Sequence, residues 1–77
     1  ALDGIVFAVI FIEKANENLI KMSFRSKGDF DVNKFARAHF EGGGHINAAG
    51  GKSNLSLNDT IVKFNEILPQ YSEDLKK

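Results

Sequence analysis

The sequence predicts a small two-layer α/β domain: a mixed β-sheet, made of an antiparallel hairpin plus a further strand, packed with two helices in the order β-β-α-β-α. Three observations predict it. An unbroken β-branched and aromatic run, Ile5–Ile12, is followed after a polar turn by an alternating run, Leu19–Arg25. Two later segments carry apolar residues at helical spacing: Val32, Phe35, Ala36 and His39, then Ile61, Phe64, Leu68, Tyr71 and Leu75. Between them Gly42, Gly43, Gly44, Gly50 and Gly51 crowd a stretch that neither helix nor strand propensity explains.

The first strand is apolar at every position, which predicts a central strand covered on both faces. Lys14–Asn18 is a polar turn whose asparagines tolerate left-handed geometry. In the second strand Ile20, Met22 and Phe24 point one way and Lys21, Ser23 and Arg25 the other, so one face is polar. Asp29 or Asp31 can cap the first helix, whose stripe Phe40 extends. The glycines after Glu41 then stop it. Ile46–Lys52 is the further strand, with an end blurred by Gly50-Gly51. Ser56 with Asp59 resembles a capping box, and Pro69 predicts a kink or a restart inside the last helical stretch.

At 77 residues the chain is one small domain. It has no cysteine, which excludes disulfides and thiolate zinc sites and agrees with an intracellular, cytoplasmic protein. Ten basic side chains balance ten acidic ones, so any affinity for nucleic acid has to come from local charge. No apolar stretch approaches the ~20 residues that span a bilayer, so no membrane partner is expected. The chain opens on Ala1 and turns apolar at once, which reads as a domain cut from a longer protein.

Chemistry concentrates at Gly42-Gly43-Gly44-His45. Bare backbone N–H groups in a sharp turn can cradle an anion, because no side chain blocks its approach, and a neighbouring imidazole can donate to a phosphate oxygen. Arg25 ends the alternating strand and can hold a phosphate through two parallel hydrogen bonds. If the sheet brings that strand end beside the glycines, Arg25 and His45 converge on one anion, with Lys27 adding charge. His39 lies on the apolar stripe of the helix and reads as structural. Most phenylalanines read as core, and Phe30 and Phe40 are the better candidates for stacking on a base. No cluster of aspartates and histidines suggests a two-metal hydrolase, and no nucleophilic triad is arguable. By itself the domain reads as a binding module.

Phe24-Arg25-Ser26, an amphipathic helix, and then Gly42-Gly43-Gly44-His45 with Asn47-Ala48-Ala49-Gly50 closely resemble the DHH-associated C-terminal domain of the DHH phosphoesterase family. The likeness runs from about Leu19 to Gly51 with a compatible closing helix behind it. The glycine-histidine string is its specific part, and the arginine-serine pair is weak without it. The string is most similar to the branch of oligoribonucleases that also dephosphorylate 3′-phosphoadenosine 5′-phosphate, some of them labelled exopolyphosphatase-related. Cyclic-dinucleotide hydrolases, RecJ-type exonucleases and alanyl-tRNA editing proteins resemble it less.

The resemblance implies that residues 1–77 are one substrate-binding domain from the C-terminal end of a two-domain enzyme. The partner domain would carry an Asp-His-His signature and two manganese or other divalent ions that activate water. This chain lacks that signature, so no catalytic or metal-binding residue is carried over to it, and alone it is expected to be inactive. By the same resemblance Arg25 and Ser26 match a substrate-contacting strand end, Gly42, Gly43, Gly44 and His45 a phosphate-facing loop, and Asn47 a loop-bracing position. The expected partners are short RNA or DNA oligonucleotides or nucleotide phosphates and the N-terminal DHH domain of the same protein, with a homodimer of the parent also open. The competing expectation is a non-enzymatic module binding single-stranded nucleic acid or a protein.

Overall fold

The computed structural model describes residues 7–75; Ile5 and Val6 of the predicted first strand lie outside them. Strand β1 (Phe7–Lys14) runs through a 3-10 turn (Ala15–Glu17) into β2 (Leu19–Ser26). Helix α1 (Val32–His39) leads to β3 (Gly43–His45) and β4 (Ala48–Ser53). Helix α2 (Leu57–Ile67) closes the core, followed by a 3-10 turn (Leu68–Tyr71) and the short α3 (Ser72–Leu75). The two-layer α/β class is the one the sequence predicts, and the order of elements broadly fits it, with one strand more.

The sheet itself differs from expectation. Its order is β1-β2-β4-β3, and every pairing is antiparallel rather than mixed. The extra strand is made by the glycines themselves, and Ile46-Asn47 forms the turn before β4. Nor is β1 central. It lies at an edge, and its alternate residues Ile10 and Ile12 are 60% and 45% exposed. The helices cover only one face, where Phe7, Val9 and Phe11 pack against the core. An all-apolar strand therefore does not require two covered faces; here the described elements cover one side of the sheet only.

Local chemistry sets the boundaries. Asn18 takes the left-handed conformation at the end of the first turn (φ 50°). Asp31 Oδ1 accepts from the Lys34 amide at 3.0 Å and starts α1. Glu41 (φ 49°), not a glycine, makes the left-handed turn after that helix, and the Gly42 N–H donates back to the Ala36 carbonyl at 3.1 Å. Ser56 Oγ accepts from the Asp59 amide at 3.1 Å to begin α2. Pro69 falls where α2 gives way to the 3-10 turn, the expected restart.

An aromatic cluster fills the space between sheet and helices. Phe24, Phe35 and Phe40 are fully buried, and Phe35 packs against Phe7, Phe24, Phe40, Phe64 and Tyr71. Each fully buried phenylalanine contributes about 1.5–3 kcal/mol of transfer free energy. At eight residues α1 is too short to persist alone, so this packing holds it. Phe30 and Phe40 are 8% and 1% exposed, so neither offers a ring to a base, contrary to expectation. The hydroxyl of Thr60 donates to Ser53 Oγ at 2.9 Å, tying α2 to the end of β4 inside the core.

Candidate functional site

Sheet register assembles the site. On β2 Arg25 pairs with Ala48, and on β3 His45 pairs with the same Ala48. Arg25, Ala48 and His45 thus stand in one cross-strand row, which puts the outer two about 10 Å apart at their α-carbons. Both side chains are exposed. Arg25 Nη1 donates to the Phe24 carbonyl at 2.9 Å, which steadies the guanidinium and leaves its other N–H groups available. The sequence supplied these two residues; the placement of β4 between β2 and β3 makes them neighbours.

The glycines serve this site differently from the expected cradle. The Gly42 amide is spent on the Ala36 carbonyl, and the Gly44 amide donates to Asn33 Oδ1 at 2.9 Å. These two N–H groups are occupied within the chain, so they do not form an open anion nest. The reason lies in close packing. A Cβ on Gly42 would collide with the Gly50 carbonyl, and one on Gly44 would come within 2.6 Å of the Ala48 oxygen. Only bare backbone lets the chain leave α1, lie against β4 and deliver His45 to the row.

Ser26 and Asn47 brace the same corner. Asn47 Nδ2 donates to Ser26 Oγ at 2.9 Å and to the Gly28 carbonyl at 3.1 Å. The Ser26 hydroxyl donates to the Phe30 carbonyl at 2.6 Å, and its amide donates to the Asn47 carbonyl at 3.1 Å. Asn47 thereby ties the turn before β4 to the end of β2 and the loop after it. Ser26 has its hydroxyl proton engaged in the same network, so it positions the corner rather than presenting a free donor.

Two residues that sequence reading missed stand on α1. Asn33 Oδ1 also accepts from Arg37 Nε at 3.0 Å, so one oxygen holds both the Gly44 backbone and a guanidinium. The i, i+4 spacing of Asn33 and Arg37 was the available signal. Lys27 lies elsewhere: with Phe30, Lys34 and Tyr71 it lines a pocket of about 440 Å³ that also receives Asp29 and Asp74. That mixture of charges favours no anion. His39 is structural, its Nε2 lying 2.6 Å from the Tyr71 hydroxyl. Among the described residues no group of three or more His, Cys, Asp or Glu could hold a metal ion. Among them, too, no helix is long and apolar enough to cross a membrane.

With this geometry in place, the family model described as "DHHA1 domain" matches residues 3–73. The chain belongs to the DHHA1 family. This DHHA1 domain is also similar to an exopolyphosphatase-related protein from Bacteroides fragilis, with 32% identity and a TM-score of 0.92 over 100% of this chain. It spans only 22% of that protein's solved chain. No curated protein matches it. The likeness places the domain among DHH-associated domains.

Proposed function

We propose that this DHHA1 domain is the substrate-binding part of a phosphoesterase that hydrolyses short oligonucleotides or nucleotide phosphates, of the oligoribonuclease and phosphatase type. The observation that carries the reading is the row in which Arg25 and His45 flank Ala48, two exposed donors on neighbouring parts of one rigid sheet. Arg25 supplies a charged fork for phosphate oxygens and His45 a second donor from the other side. Asn47, Ser26 and the glycine backbone fix both in place, so a bound phosphate is oriented at little entropic cost.

Hydrolysis belongs to a DHH domain outside this chain, where two manganese or other divalent ions would activate the attacking water. That domain, a cytoplasmic setting and a homodimer of the whole enzyme are parts of the same proposal. The 77-residue chain alone is expected to bind nucleotides weakly and to hydrolyse nothing. An NMR titration with adenosine 5′-monophosphate tests the reading. Amide shifts centred on Arg25, His45 and Ala48 are expected at millimolar ligand. If those three amides stay still, the reading is lost, and a module with some other ligand takes its place.

A further inference from the structure

Among the described residues the open face of the sheet is electrically one-sided, although the chain as a whole is neutral. Alternation in β1, β2 and β4 assigns to this face Ala8, Ile10, Ile12 and Lys14, then Leu19, Lys21, Ser23 and Arg25, then Ala48, Gly50 and Lys52. Its ionised side chains are Lys14, Lys21, Arg25 and Lys52, and none of these positions holds a carboxylate. Lys21 and Lys52 are direct cross-strand partners, both exposed. Like charges set opposite one another destabilise a sheet, so the fold carries a penalty here that an anion would relieve. Ordinary surface patterning would place a Glu or Thr against one of them.

The spacing defines the ligand. From Arg25 to Lys21 is four residues along β2, or about 14 Å at the rise of an extended strand. Between the two ends the floor is low, because Ser23 pairs with Gly50. A Cβ built on Gly50 would meet only the Met22 carbonyl, at 3.5 Å. Beside this floor Ile10 and Ile12 present exposed apolar surface from β1. Cations at both ends of a flat, partly apolar strip suit a chain whose phosphates repeat along one side while its bases lie on the other. An inorganic phosphate chain would use the cations but gain nothing from the isoleucines.

We propose that Lys21 and Lys52 form a second phosphate subsite, and that the open face holds a single-stranded oligonucleotide of about three to four residues with its anchoring phosphate at Arg25 and His45. The inference rests on the function proposed above and extends it from one phosphate to a short strand. Counterion release at the second subsite adds affinity with each phosphate that reaches it, and the gain stops once the strip is full.

The test is calorimetric titration of the 77-residue chain with AMP, di-, tri-, tetra- and hexa-adenylate and tripolyphosphate at fixed salt. Affinity is expected to rise about tenfold from AMP to the tetramer and then level off. In the double variant K21S/K52S the rise should shrink to under threefold, with AMP affinity within twofold of the parent. Its thermal midpoint should be unchanged or higher, because the repulsive pair is gone. An affinity independent of length, or a rise that survives in K21S/K52S, overturns the second subsite. Tripolyphosphate binding as tightly as the tetramer overturns the oligonucleotide as its occupant. Failure of the anchor reads out separately: R25A would then leave AMP binding untouched, whatever the dependence on length.

Discussion

Gly42 and Gly50 pass so closely that no side chain fits between them: a Cβ on Gly42 would overlap the Gly50 carbonyl and lie 2.7 Å from the Gly51 α-carbon. This contact explains why the chain turns from α1 into the sheet through glycine, and it separates two roles that the triple repeat invites. The glycines permit the approach of backbone to backbone. The side chain that this approach brings to the row beside Ala48 is that of His45.

Gly42→Ala is accordingly expected to cost about 1–3 kcal/mol, the range of overpacking. Gly50→Ala, whose Cβ makes only the ordinary 3.5 Å contact with the Met22 carbonyl, should change stability by about 0.5 kcal/mol or less. Urea unfolding of the two variants, side by side, measures the difference. Equal midpoints would mean that the close approach of Gly42 to Gly50 does not constrain the fold.

Arg25→Ala should weaken binding of adenosine 5′-monophosphate by about 1.5–3 kcal/mol, the value of a charge-assisted hydrogen bond. His45→Ala should produce a smaller loss at the same amides. The check is the dissociation constant from NMR titration, with the parent's spectrum as evidence that the fold is retained. Both residues are exposed, so neither substitution opens the core.

Asn47→Ala removes donors to Ser26 Oγ and the Gly28 carbonyl, and about 1–2 kcal/mol of stability should go with them. The loss should be local at first. Hydrogen exchange ought to accelerate at the Ser26 and Val32 amides, which donate to the Asn47 and Ile46 carbonyls. Unaltered protection there would mean that the turn holds without its brace.

Stability should also fall in mild acid. Burial holds the His39 imidazole below its ordinary pKa of 6.5, and the nearby Lys63 ammonium pushes the same way. The folded chain then binds fewer protons than the unfolded chain over the interval between the lowered value and 6.5. Stability is therefore full above 6.5 and drops as pH falls through that interval. The urea midpoint followed from pH 7.5 to 5 should show a slope that is smaller in His39→Gln. Tyr71, raised by burial and then by Asp74, stays a neutral hydroxyl throughout and keeps its bond to the imidazole.

Much of this arrangement was legible in the residue order. Alternation in Leu19–Arg25, the spacing of Val32, Phe35 and Ala36, and the caps at Asp31 and Ser56 are local signals, because each depends on neighbours a few residues away. The same local signals marked Arg25 and His45 as donors, and the string from Gly42 to Gly50 marked the family. Phe30 and Phe40 misled because a phenylalanine beside a polar segment looks the same whether helices cover it or not. That β1 is an edge strand, that Gly43–His45 is a strand at all, and that Asn33 holds both Gly44 and Arg37 are decided by contacts between distant segments. So is the charge of the open face. Ten cations and ten anions cancel along the chain, and only the pleat of a folded sheet sorts Lys14, Lys21, Arg25 and Lys52 onto one side. Composition is a sum over residues, whereas a binding surface depends on which of them the fold turns in the same direction.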